Sequence, residues 1–301
     1  MRKLVECVPN FSEGRDQAII DSITGEISQV DGVTLLDVDP GADTNRTVVT
    51  MVGDPDSVVE AAFQAIRKAG ELIDMTGHGG AHPRMGATDV CPFVPVSGLT
   101  MDDCAELARR LGQRVGDELG IPVYLYELAA SRPERQNLAD VRKGEYEGLA
   151  EREGNEYWDP DFGPKTFNAR SGATAIGARE FLIAYNINFN TRNKKPVHDI
   201  AMEIREAGRN KRGPDRKFIR DENGVPIKAP GLLKAVKAIG WYIEDYNVAQ
   251  LSVNLTSYTT TPLHLLFETV RKEARKRGLR ATGSELVTIC SGRPSKSRAN
   301  S

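Results

Sequence analysis

Residues 77–89 read GHGGAHPRMGATD and carry His78 and His82, two of the four histidines in the chain. Three chemistries compete for such a pair. An imidazole with a pKa near ~6.5 can take up and return a proton around neutral pH, which makes acid–base catalysis the first. Metal ligation is the second, with Asp89 or Asp39 completing the set. However, an i, i+4 spacing brings two imidazoles to one face only on a helix, and Gly79 and Gly80 work against a helix here. The third is that the rings only hydrogen-bond their own turn, which fits His78 better than His82. The glycines let the backbone bend tightly and let other groups come close.

Two further clusters could serve the same chemistry. In LLDVDPGADTNRT (35–47), Asp37 and Asp39 alternate at the end of a predicted strand and should share a face. A carboxylate inside an apolar strand is costly unless paired. Asp39 is therefore the candidate partner of His82, able to hold one tautomer and stabilise the imidazolium. Asp43, with Asn45 and Arg46 after it, reads as an ordinary polar turn. The stretch GPKTFNARSGATAIGAR (163–179) combines the cations Lys165, Arg170 and Arg179 with the flat ring of Phe167 and several glycines. That combination suits a planar, anionic ligand; a polar linker with incidental charges is the alternative.

Elements must hold these clusters in place. KLVECVPNF, GVTLLDVDP, RTVVTMVGD and ATDVCPFVPV read as strands, with helices over GRDQAIIDSITGEISQV and PDSVVEAAFQAIRKAGELI. A helix in MDDCAELARRLGQRVGDELG and a strand in PVYLYE extend this unit. The second half repeats the order: strand 181–190, helix 196–208, a polar loop or hairpin, two strands around a turn near Glu244 to Tyr246, a helix opening on threonine caps and closing before Gly278, and a last strand in ATGSELVTICS. The fold class is therefore α+β, as two ferredoxin-like βαββαβ subdomains with largely antiparallel sheets and helices on one face. A single irregular α/β domain is the alternative. The subdomains are placed at 1–178 and 179–301. Residues 129–178 fit neither repeat. They read as a connector with short helices around 135–152, lying across the junction where ligand sites often form.

Composition narrows the class. The chain has 301 residues, 40% hydrophobic and 27% charged, with a formal net charge of -2. No basic field points to nucleic acid, and the RKEARKRG run reads as the basic end of a helix. No apolar run approaches the ~20 residues needed to span a bilayer, and the N-terminus reads as a strand rather than a signal peptide. Cys7, Cys91, Cys104 and Cys290 form no CxxC pair, so reduced and mostly buried thiols in a cytoplasmic protein are expected.

VECVPNFSEGRD, LLDVDPGADTNRTV, GHGGAHPRMGATDVCPFVP and GPKTFNARSGATAIGAR followed by FLIAYNINF together resemble the glutamate formimidoyltransferase family of histidine degradation. The likeness runs from residue 3 to about 291. It implies transfer of the formimidoyl group of N-formimidoyl-L-glutamate to N5 of tetrahydrofolate, a polyglutamylated co-substrate, with no metal. It also implies a cytoplasmic homodimer, a folate site in a groove between two α+β subdomains, and a stand-alone form whose cyclodeaminase is a separate protein. By the same likeness the catalytic histidine is His82, and the folate segment is Gly163, Pro164, Lys165, Thr166, Phe167, Asn168, Ala169, Arg170, Ser171 and Gly172. On that chemistry His82 shuttles the proton, and Asp39 orients it or offsets the amidinium charge. Arg46 and Arg84 are candidates for the glutamate carboxylates. Lys165 and Arg170, with Lys194 and Lys195 as weaker candidates, would follow the polyglutamate tail. Formyl transfer at the same site and a folate-binding protein without turnover are the alternatives.

Overall fold

The structure is a computed structural model and describes residues 2–80, 82–222, 224–244 and 246–286. The chain divides after residue 180 into two units, each with its own sheet and core.

In the first unit, β1 (Leu4–Cys7) and β2 (Asn10–Phe11) are two pieces of one strand, interrupted at Val8 and Pro9. Pro9 has no N–H for the ladder. Helix α1 (Gln17–Ser28) starts where the Asp16 carboxylate accepts from the Ala18 and Ile19 amides. Strands β3 (Val33–Gly41) and β4 (Arg46–Gly53) form a hairpin. Helix α2 (Pro55–Leu72) follows, capped by Asp54 with proline in its first turn, and β5 (Thr88–Ser97) closes a β-α-β-β-α-β order. These strands lie antiparallel in the order β3, β4, β1 with β2, β5.

Helix α3 (Met101–Leu119) opens on a Thr100–Asp103 capping box, ends at Gly120 with φ 64°, and delivers β6 (Val123–Glu127). A short α4 (Leu138–Val141) and three single 3-10 turns fill the stretch read as a connector. It returns as β7 (Thr174–Ala178), which enters between β5 and β6, parallel to both. The sequence reading missed β7. TAIGA sets Thr174 and Ile176 among alanine and glycine and is buried throughout, so it shows no apolar–polar alternation. Its Gly177 is a packing glycine, since a Cβ there would press into the Tyr126 ring.

Alternation sorts the strand residues between two faces. Cys7, Val49, Met51, Cys91 and Phe93 enter the core under α1 to α3. The opposite set includes Glu6, Arg46, Thr50, Val90 and Tyr126, with Asp37 paired to Thr50 and Asp39 to Val48 in the β3–β4 register. Val90, Tyr124 and Tyr126 form a second cluster with Val141 and Leu149 of the connector. The connector thus packs on the helix-free face of the first unit's own sheet.

The second unit runs β8 (Ile183–Phe189), α5 (Lys194–Ile204), a pair of two-residue strands β9 (Arg209–Asn210) and β10 (Lys228–Ala229), then β11 (Val236–Ile243), β12 (Val248–Leu255), α6 (Leu263–Lys276) and β13 (Ala281–Leu286). Its antiparallel order β11, β12, β8, β13 repeats that of the first four strands of the other unit. Helix α6 lacks the expected threonine cap. Pro262 occupies the cap position, and the Thr261 hydroxyl donates to the Lys234 carbonyl instead, at 2.6 Å. The end of the last predicted strand, and Cys290 with it, lie outside the described residues. Cys7, Cys91 and Cys104 are free, buried thiols. Among the described residues no helix is long and apolar enough to cross a membrane.

Candidate active site

The histidine loop leaves α2 through a 3-10 turn at Met75–Gly77 and leads into β5. It runs close against the β3–β4 turn, and a Cβ on Gly80 would strike the Thr44 carbonyl oxygen. The two histidines have different environments. His78 Nδ1 accepts from Arg84 Nε at 3.2 Å, so its Nε2 carries the proton and donates to the Asn45 carbonyl at 3.0 Å. Both ring nitrogens are committed, which makes His78 a fastener of the loop.

His82 has the opposite tautomer. A guanidinium has no acceptor, so Arg46 Nη1, 2.6 Å from His82 Nε2, must donate to it. Nδ1 then holds the proton and donates to the Pro83 carbonyl at 2.6 Å. Burial pushes the His82 pKa down to about 4, and the charges of Arg46 and Arg142 add to it; the Pro83 bond and Asp89 oppose. His82 is therefore a neutral imidazole at neutral pH rather than the half-titrated group that an ordinary pKa would give.

Arg46, the first residue of β4, is itself pushed down to about 10, chiefly by burial. Its Nε is buried without a hydrogen-bond partner among the described residues. The nearby arginines are paired. Arg84 is clamped by Glu147 at 2.6 and 2.8 Å and also donates to the His78 carbonyl at 3.0 Å. Arg142, at the end of α4, pairs with the fully buried Asp89, which also accepts from the Met85 amide at 3.1 Å. Arg84, a candidate for the substrate carboxylates, has its donors engaged within the chain.

Asp39 also differs from expectation. It lies exposed on β3, an edge strand, where a carboxylate meets water and needs no partner. No hydrogen bond joins it to His82. The carboxylate whose charge reaches His82 is Asp89, on β5, and the Pro83 carbonyl fixes the tautomer. Asp37 and Asp39 are close enough for each other's charge to matter: the Asp37 pKa is raised by burial first and by Asp39 second.

The 163–172 segment lines a shallow, solvent-open recess in the first unit, through Pro164, Lys165, Thr166, Phe167, Asn168 and Gly172. Gly163 and Gly172 take φ of 82° and 67°, conformations that favour glycine. Asn168 ties the segment down, accepting from the Ser171 amide at 3.0 Å and donating to the Gly120 carbonyl at 3.3 Å. Tyr146 donates to the Ala169 carbonyl at 2.6 Å. Lys165 is exposed and pairs with Asp159 at 2.6 Å. Arg170 is exposed and donates through Nη2 to the Glu71 carbonyl near the end of α2, at 2.6 Å. Lys194 and Lys195 are exposed at the start of α5.

Sequence reasoning missed the opposite wall of this recess. Arg152 is buried, stacks on Trp158 at 4.1 Å, and donates through Nη2 to the Val141 and Lys143 carbonyls at 2.8 and 2.7 Å. Its Nη1 is buried with no partner among the described residues. Nor did it single out Arg142. Both lie in a polar stretch whose spacing carries no period, and only the folded connector brings them to their sites.

Residues 4–179 match the formiminotransferase domain, N-terminal subdomain, and residues 184–293 match the formiminotransferase domain, so the chain belongs to the formiminotransferase family. It is 45% identical to a glutamate formimidoyltransferase of Streptococcus pyogenes serotype M1, over 96% of this chain and 89% of that protein. It is 46% identical to that of Thermoplasma acidophilum, over 95% and 88%. A formimidoyltransferase-cyclodeaminase of Dictyostelium discoideum is 50% identical over 96% of this chain, and the chain spans about half of that relative, 51%.

Proposed function

We propose that the protein transfers the formimidoyl group of N-formimidoyl-L-glutamate to N5 of tetrahydrofolate, releasing L-glutamate and 5-formimidoyltetrahydrofolate. The observation that carries this reading is His82: a neutral imidazole whose tautomer is set by the Pro83 carbonyl and whose Nε2 lone pair faces a cation without a carboxylate partner. N5 attacks the amidine carbon and gives its proton to Nε2. The bond from that carbon to the glutamate nitrogen then breaks, and the imidazolium returns the proton to the departing amine. Proton and charge balance with one imidazole.

The other roles follow the geometry. Arg46 meets a carboxylate of the glutamyl donor, because its guanidinium lacks an ion-pair partner among the described residues. Asp39, with Asp37, offsets the amidinium charge across β3 and β4 rather than orienting the ring. The Gly163–Gly172 segment takes the folate at the recess. Arg152 supplies a buried donor to one of its oxygens, Trp158 and Phe167 supply flat apolar surface, and Lys165 stands outside for the glutamate tail. The family likeness extends the reading to a cytoplasmic homodimer acting on polyglutamylated folate, with a separate cyclodeaminase downstream.

The test is formation of formimidoyl-tetrahydrofolate, followed by its ultraviolet absorbance, with both substrates present. No product beyond a protein-free control would overturn the reading.

A further inference from the structure

In this structure the base is engaged by a group of the protein itself. The Arg46–His82 contact of 2.6 Å places a donor on the lone pair that must accept the N5 proton. A base so engaged cannot abstract a proton, and a guanidinium beside it opposes its becoming positive.

The pairing pattern of the site shows how it could be released. Arg84, Arg135 and Arg142 each find a carboxylate of the chain, at Glu147, Asp161 and Asp89. Among the described residues no carboxylate pairs with Arg46, and its Nε is buried without an acceptor. An Arg–carboxylate pair is most favourable when two N–H groups converge on two oxygens. An incoming carboxylate that engaged the buried Nε as well would turn the side chain, and such a turn would take Nη1 off the imidazole.

We infer that Arg46 is a latch on His82: its guanidinium holds the Nε2 lone pair in the empty enzyme, and a carboxylate of the glutamyl donor draws it away, so that the base is exposed only when the anionic donor is seated. This rests on His82 being the proton shuttle proposed above. The device would favour donor binding before proton transfer and keep an idle site from protonating adventitious amines.

The charged groups around the ring agree. Arg46 faces it from β4, Arg142 from the end of α4 and Asp89 from the start of β5; the Pro83 carbonyl is its fourth polar neighbour. Asp89 pairs directly with Arg142, and among the described residues no carboxylate makes such a pair with Arg46. The charge of Asp89, then those of Arg142, Tyr126 and Asp39, act on Arg46 at longer range, each more weakly than its burial.

The full chain labelled with 15N-histidine gives four ring signal sets, and His82→Asn assigns the one that matters. In wild type without ligand, His82 should stay neutral to well below its ordinary pKa. Saturating L-glutamate, which carries the carboxylates and no transferable group, should raise its proton affinity by about tenfold or more, a shift of about 1 pKa unit. Arg46→Met should raise it without ligand and abolish the response. If that variant does not fold, wild type with and without L-glutamate decides alone. Three results overturn the latch: an ordinary His82 titration in the empty protein, a calorimetrically demonstrated glutamate complex that leaves His82 unchanged, or no glutamate binding at all. Turnover measured on the same preparation separates the two claims. Turnover without the shift removes the latch and leaves the function; the shift without turnover removes the function and leaves the coupling.

Discussion

Replacing Asp89 by asparagine tests which carboxylate supports the site. Asp89 is fully buried, and the Arg142 side chain beside it keeps only 15% of its exposure. Asparagine preserves the shape and one acceptor, so the Met85 amide bond of 3.1 Å can persist. The ionic half of the Arg142 contact cannot. Breaking a buried pair by removing one partner typically costs ~3–5 kcal/mol, because the remaining charge stays in the protein uncompensated. The residual exposure of Arg142 and the retained acceptor lower this to ~2–4 kcal/mol. Trp158 lies in the first unit and Trp241 in the second, so a Trp241→Phe background makes fluorescence report the first unit alone. With a urea slope of ~2–3 kcal/mol per molar, the midpoint of that transition should fall by roughly 1 M. Asp39→Asn in the same background should move it by less than ~0.5 kcal/mol, because that side chain is exposed on an edge strand. Equal midpoints for the two variants would refute the reasoning that places the structural carboxylate at Asp89 and leaves Asp39 to the solvent.

His82→Ala should lower kcat by ~10²- to 10⁴-fold with tetrahydrofolate affinity, measured by fluorescence quenching, largely kept; a normal kcat would remove the imidazole from the mechanism. The depressed His82 pKa also makes an acid-stability prediction. Folding holds the ring neutral while the unfolded chain takes up a proton near pKa ~6.5, so stability falls as pH drops from there toward about 4. By about pH 4.5 the loss should be ~1–2 kcal/mol after allowance for screening, and His82→Asn should remove that part of the slope in urea titrations at several pH values. Arg84→Met should cost ~2–3 kcal/mol in the first unit's urea transition, moderated by the exposure of Glu147. A raised donor KM with unchanged stability would instead make Arg84 a substrate ligand. N-formyl-L-glutamate should react far more slowly than the formimidoyl donor in side-by-side assays; equal rates would favour a formyl transferase whose oxyanion leans on Arg46.

Much of the fold was legible because its signals are local. The helices α1, α2 and α3 were read where the structure has them, and the alternation in TVVTMVGD and TDVCPFVPV tracks what the structure buries on either face of β4 and β5. What failed has a common cause. The TAIGA strand is buried on all sides by parallel neighbours, so its sequence reports only the space available. The connector around α4 has no period because its residues answer to Tyr124 and Tyr126 on the sheet beneath, not to one another.

The same division runs through the site. Composition alone singled out the histidine loop, since two imidazoles among glycines are unusual in any setting. Assigning their partners required knowing which strand is an edge. Asp39 was read as a costly buried carboxylate because alternation reports a face and not what covers it. With β3 at the sheet margin that cost vanishes, while Asp89, at the start of the inner strand β5, bears it and is answered by Arg142 from 53 residues away. Arg46 shows the converse. Its charge was legible as a carboxylate receptor, but not its hold on the base it serves. That contact exists because the glycines of the loop let the chain lie against the β3–β4 turn, where β4 begins with a guanidinium. The glycine-rich turn thus has a second use beyond flexibility: it brings the imidazole to a cation, which on the proposed mechanism is displaced before the proton can move.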